Sequence, residues 1–196
     1  MELSCLFTTS RSAALKLFDG GKYNTLQTYR LLLNGEPLME TDRTITSLYG
    51  LQPDTEYCIS VADSEEAITI RTLPESVSLN VRRFGAVGDG VHDDTAAIQT
   101  AITCCPAGGR VRIPAGDYLV TPLFLKSHIT LELQEGAKLL LCADRNRFPI
   151  LPGVTFTQGE DYLLGSWEGN PLDSYASAIT GVDVEDVRII GPGAVD

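Results

Sequence analysis

An all-β chain in two parts is what this sequence predicts: a small β-sandwich, then a helix-capped stack of short strands. Three observations carry that reading. Up to about residue 72, apolar and polar residues alternate in short runs separated by turn formers. Between Phe84 and Cys105 the pattern changes to a Gly- and Asp-rich loop followed by one amphipathic helix. Beyond Gly109, short alternating runs recur with glycine at the corners, which is how a solenoid punctuates its repeats.

In the first part, Leu3, Cys5 and Phe7 alternate, and Tyr29, Leu31 and Leu33 alternate again. Asn34-Gly35 supplies a hairpin turn, because both residues tolerate positive φ. Tyr57, Ile59 and Val61 form a further period-two set, and Ile68 and Ile70 a last one. Leu51-Gln52-Pro53-Asp54-Thr55-Glu56-Tyr57 has the layout of a tyrosine corner, in which the Tyr57 hydroxyl bonds to backbone just upstream and locks the turn. The sandwich is expected over 1–75 and a linker over 76–80.

The second part, 81–196, opens with Gly85, Gly88 and Gly90 in a loop. Asp93 or Asp94 stands at the helix N-cap, where a carboxylate accepts bonds from unpaired amides. Ala97, Ile98, Ala101 and Ile102 share one helical face, and Pro106 with Gly108-Gly109 stops the helix. Such a helix covers the open end of a strand stack. Strands follow around Val111 and Ile113, Tyr118 to Val120, Leu123 and Leu125, Ile129 to Leu133, Leu139 and Leu141, and Val182 to Ile189.

Composition excludes some functions. The chain has 196 residues, 43% hydrophobic, enough to bury a core, and a net charge of −11. Residues 1–80 hold 6 basic and 11 acidic side chains, so the deficit is not confined to one end. With no basic block, nucleic acid and anionic membranes are not expected partners. Met1-Glu2-Leu3-Ser4-Cys5 lacks the basic start and apolar run of a secretory signal, which points to the cytoplasm. Five cysteines without metal-ligand spacing read as buried thiols in a reducing compartment. No metal or cofactor is expected.

The run Phe84-Gly85-Ala86-Val87-Gly88-Asp89-Gly90, Asp93-Asp94-Thr95 and Gly109-Arg110-Val111-Arg112-Ile113-Pro114-Ala115-Gly116-Asp117-Tyr118 resembles the opening of a right-handed parallel β-helix of the pectate-lyase-like kind. Leu123-Phe124-Leu125-Lys126-Ser127, Leu133-Gln134-Glu135-Gly136-Ala137 and Phe148-Pro149-Ile150-Leu151-Pro152-Gly153 narrow the resemblance to glycoside hydrolase family 28, the polygalacturonases. The first part resembles a fibronectin type III domain, as in the exo-acting branch of that family. The resemblance implies inverting hydrolysis of α-1,4 bonds between galacturonic acids, and a galacturonide oligosaccharide as partner. That chemistry uses carboxyl groups about 6.5–9.5 Å apart, with a water between. The family's Asn-x-Asp, Gly-His-Gly and Arg-x-Lys motifs do not occur after the cap, and its Asp-Asp pair has no match beyond Asp93-Asp94. No catalytic residue is assigned; Asp93, Asp94 and Tyr57 read as structural. His92 and His128 read as surface or loop residues.

The segment Tyr162 to Pro171 lies between strands and carries the sole Trp. Trp167, with Glu168 and Asn170, is the candidate substrate-binding set, since an aromatic ring stacks on a sugar face; the alternative is that Trp167 pins its loop by packing. Arg145 and Arg147 could attract a uronate or stay solvated. The run ends in Gly193-Ala194-Val195-Asp196 without an evident cap, so a truncated, inactive N-terminal portion of a hydrolase is expected. The alternatives are a non-catalytic saccharide-binding or scaffold protein and a tailspike-like structural β-helix. Oligomeric state is open.

Overall fold

The computed structural model describes residues 1–157 and 159–196. They form two compact units, Met1–Glu75 and Ser76–Asp196.

The first unit packs two antiparallel sheets. Strands β1 (Glu2–Thr8), β2 (Ser12–Phe18), β3 (Asn24–Leu33), β4 (Glu36–Arg43), β5 (Ile45–Tyr49), β6 (Glu56–Val61) and β7 (Ala67–Arg71) sort into sheets β1-β2-β5 and β4-β3-β6-β7. Leu3, Leu15, Leu17, Leu31, Tyr57 and Ile59 fill the core. Asn34 and Gly35 both take positive φ, 52° and 86°, and join β3 to β4 as a two-residue turn. The Tyr57 hydroxyl accepts the Gln52 amide at 2.8 Å, which closes the tyrosine corner. One alternation fails. A register shift between Cys5 and Phe7 turns Phe7 out of the core, as a bulge does by inserting an unpaired residue.

The second unit is a parallel β-helix behind a helical cap. It starts with β8 (Ser78–Asn80), which pairs in parallel with a strand of the helix body. Residues 78–80 are therefore not linker, as the sequence reading had them; a three-residue strand is too short to show a period. After a 3-10 turn, Val81–Phe84, come β9 (Asp89–Asp93) and helix α1 (Thr95–Cys104). The body continues through β10 (Gly109–Ile113), β11 (Gly116–Val120), β12 (Leu123–Phe124), β13 (Ile129–Leu133) and β14 (Ala137–Leu141). An insertion of paired short strands follows: β15 (Ile150–Leu151), β16 (Val154–Thr157), β17 (Glu160–Leu163), β18 (Ser166–Trp167), β19 (Asn170–Pro171) and β20 (Ser174–Tyr175). The body then resumes with β21 (Ile179–Thr180), β22 (Arg188–Ile190) and β23 (Ala194–Val195).

Registry makes it a solenoid. Leu79, Val111, Leu131 and Ile189 lie in one ladder, and Tyr118, Leu139 and Val195 in another. Val111, Ile113, Tyr118, Leu123, Leu131 and Leu139 are buried in the lumen beside Ile98, Ala101 and Ile102 of α1. Among the described residues no helix is long and apolar enough to cross a membrane. The cysteines form no disulfide there, and two of them, Cys58 and Cys104, are exposed rather than buried as expected. Cys58 lies on the outward side of β6, where alternation with Tyr57 and Ile59 places it.

Candidate functional site

An adjacent pair of carboxylates such as Asp93-Asp94 is the kind of group a glycosidase uses. Asp94 is almost completely buried and occupies the helix N-cap position, yet its side chain does not cap the helix. It turns to the glycine loop and accepts the amides of Val87, at 2.6 Å, and Gly88, at 2.9 Å. This corrects the sequence reading: loop amides, not those of the helix, hold Asp94. Asp93 takes the helix start instead, accepting the Thr95 amide and hydroxyl, and it pairs with the Arg147 guanidinium.

The loop is clamped from the other side by Arg82. Its guanidinium donates to the carbonyls of Val87, at 2.5 Å, and Ala115, at 2.9 Å, and sits 5.6 Å from the Tyr118 ring centroid. Gly88 has φ +67°, and a Cβ there would stand 2.8 Å from the Tyr118 ring. The Gly-Asp-Gly and Asp-Asp-Thr motif is thus a device for folding the cap.

The electrostatics agree. A general acid at neutral pH needs a raised carboxyl pKa. The carboxyls of Asp19, Asp89 and Asp93 all lie below their ordinary value, the opposite of what a general acid needs. The Thr95 hydroxyl and amide and the Arg147 guanidinium lower Asp93. The amides of His92 and Val91 and the His92 ring hold Asp89 at about 2. Both histidines face carboxylates: His92 Nδ1 lies 2.6 Å from Asp89, and His128 lies between Glu185 and Asp186.

The remaining candidates are in the insertion. Its base is fixed by Arg147, which reaches Asp93 and lies 3.5 Å from the Cys142 sulfur, so Arg147 is committed within the fold. Phe148 and Tyr175 meet edge to face. Gly153 and Gly165 lie against the backbone of Leu172 too closely for any Cβ. On this base stand two hairpins. In the second, Trp167 pairs with Asn170 across a turn in which Glu168 and Gly169 have φ of 49° and 82°. The structure therefore brings Trp167, Glu168 and Asn170 together at one hairpin tip. Trp167 is 69% exposed, so it does not pin its loop by packing. Tyr162 and Phe156, on the neighbouring hairpin, are 61% and 71% exposed.

A family model described as rhamnogalacturonase A/epimerase, pectate lyase-like, matches residues 78–132, the cap and first coil. An exo-poly-alpha-D-galacturonosidase of Dickeya chrysanthemi is 34% identical over 160 residues, covering 75% of this chain and 25% of that protein. The solved family 28 exopolygalacturonase of Yersinia enterocolitica superposes with a TM-score of 0.68 at 27% identity, covering 100% of this chain and 41% of that one. The chain is homologous to the family 28 exopolygalacturonases. The similarity to that solved enzyme runs through both units, fibronectin-like and β-helical. A different kind of relative is the plasmin and fibronectin-binding protein A of Streptococcus pneumoniae, 51% identical over 119 residues, covering 57% of this chain and 17% of that protein. The chain spans about a quarter or less of the length of both curated relatives.

Sequence reasoning missed Arg82 and Gln99, which shape the exopolygalacturonase-like cap, and it left Arg147 to a uronate or to solvent where the fold pairs it with Asp93. Arg82 and Arg147 carry no motif, and their roles depend on loops that meet only in the fold. Gln99 was hidden on the polar side of a helix, although a Gln among Ala, Ile and Thr is the one residue of α1 able both to donate and to accept through a side-chain amide.

Proposed function

We propose that residues 1–196 act as the N-terminal portion of a polygalacturonase-like glycoside hydrolase that handles pectin-derived galacturonides, and that alone they bind saccharide without cleaving it. The observation that carries the second half is the engagement of Asp93 and Asp94. Both carboxylates are occupied by amides, a hydroxyl or a guanidinium of the cap, which leaves neither poised to give up or take a proton. Binding falls to the hairpin tip. The exposed Trp167 ring offers a stacking face, with Glu168 and the Asn170 amide beside it for sugar hydroxyls.

Trp167 is the only Trp in the chain, so its fluorescence reports directly on this site. Titration with pectin oligosaccharides of mixed methyl esterification is expected to give a saturable change, and Trp167→Ala is expected to weaken binding about ten-fold by calorimetry, the loss of one stacking contact. A flat fluorescence titration would overturn the assignment. A second reading, adhesion without any hydrolytic role, draws on the likeness to the pneumococcal binding protein. It requires that a longer form of this protein, too, leave polygalacturonate uncut.

A further inference from the structure

The first unit carries a cleft of its own. Between β3 and β4 the register runs from Asn24 opposite Arg43 to Tyr29 opposite Thr41, so four residues of β3 face one of β4. Strand β6 is in register with β3 only from Leu31 onward, which leaves Thr25 to Thr28 without a registered neighbour on either side. Bulges of this kind re-aim side chains and are common next to sites. The bulge and the turn after β6 flank a pocket of about 620 Å³, to which Gln27, Thr28, Arg30, Glu40, Asp63 and Ser64 contribute polar side chains. A lining that mixes donors with acceptors suits a polyhydroxylated ligand.

Much of that hydrogen-bonding capacity is unspent. Arg30 Nε and Nη2 both donate to Glu40 Oε1, at 3.2 and 3.0 Å. The pair therefore still offers Arg30 Nη1 as a donor and Glu40 Oε2 as an acceptor, and both side chains are well exposed. Among the described residues the side chains of Gln27, Thr28 and Asp63 make no hydrogen bond within the fold. A donor and an acceptor in one ion pair match two neighbouring hydroxyls of a sugar ring: one accepts from the guanidinium and the next donates to the carboxylate. Hydrogen bonds to charged groups are the stronger kind. We propose that this cleft in the fibronectin-like unit is a second saccharide site, which recognises a pair of adjacent free hydroxyls on a pyranose ring. It shares no residue with the hairpin tip and does not rest on the reading of that tip.

Amide shift mapping of chain 1–196 by heteronuclear NMR tests this, with titration of neutral galactotriose, tri-galacturonate, and galactotriose methylated at O2 and O3 of each ring. At least one of the first two is expected to shift the amides of Gln27, Thr28, Arg30 and Asp63 saturably. The tighter binder of the two says whether a neutral glycan or a galacturonan is the source. The methylated trisaccharide is expected to bind more weakly by about ten-fold, the loss of one hydrogen bond to a charged group. Arg30→Met and Glu40→Met, both at exposed positions, are each expected to weaken binding by about the same factor. Trp167→Ala is expected to leave these shifts unchanged. Absence of shifts in residues 1–75 would overturn the site, whatever residues 76–196 do; a response of the latter alone reports on the hairpin tip. Shifts in the first unit that survive methylation, or that survive both Arg30→Met and Glu40→Met, would overturn the recognition of adjacent hydroxyls.

Discussion

Gln99 pairs with Phe124 as a strand would. Its side-chain amide donates to the Phe124 carbonyl at 2.9 Å and accepts the Phe124 amide at 2.8 Å. Beside it, the Asp94 amide donates to the Leu119 carbonyl and the Thr95 hydroxyl accepts the Thr121 amide. Helix α1 therefore satisfies strand-edge groups as well as covering the lumen. At the other end, Lys126 donates to the carbonyls of Thr103 and Cys105, which the finished helix leaves unpaired. Gln99→Ala orphans two half-buried backbone groups and is expected to cost the second unit about 2–4 kcal/mol. Gln99→Glu keeps the acceptor only and should fall between. Urea unfolding of the variants checks both; a Gln99→Ala change within 0.5 kcal/mol (roughly the noise of a surface substitution) would contradict the edge-pairing role.

Asp94→Asn replaces an acceptor pair by one acceptor and one donor, facing two amides that need acceptors. The expected loss is about 2–3 kcal/mol, in the range for hydrogen bonds to a charged group. Saccharide binding in the surviving folded fraction should be unchanged, because Asp94 serves the loop. Selective loss of binding at unaltered stability would show that the carboxylate contacts ligand.

Acid stability should depend on Asp89. Its folded pKa, about 2, lies below the ordinary 3.8. A depressed carboxyl adds stability that is fully present above the unfolded value and is lost as pH falls through the folded one. Between about pH 4 and pH 2 the wild-type urea midpoint is therefore expected to fall more steeply than that of Asp89→Asn. Parallel curves would contradict the contact with His92 and Val91.

In the first unit, Tyr57→Phe removes only the hydroxyl that accepts the Gln52 amide. A loss of about 1 kcal/mol is expected, read by urea unfolding. No loss would mean that ring packing alone holds the corner.

What could be read in advance, and what could not, follows from how far apart the interacting residues lie. Tyr57, Asn34-Gly35 and the apolar face of α1 act within a few residues of themselves, so period and turn chemistry exposed them. Strand β2 escaped notice because Ser12-Ala13-Ala14 shows no polar alternation; all three are buried. The insertion's hairpins escaped because strands of two to four residues are too short to show a period. Asp94 was placed correctly at the helix start, but its partners were not. Val87 and Gly88 are six or seven residues upstream, and only the clamp by Arg82 and the tight Gly88–Tyr118 approach bring that loop back onto the carboxylate. Position placed the residue at the helix start; its bonding required the fold.

The most direct test of the central claim is reducing-end release from tri-galacturonate by purified, monodisperse chain 1–196, run beside a binding titration with methyl-esterified oligosaccharides on the same sample. The expected result is saturable binding with no release above the buffer control. Release at a rate that Asp93→Asn or Asp94→Asn abolishes, without unfolding the chain, would contradict it, because the carboxylates assigned here to the cap would then be the ones doing the chemistry.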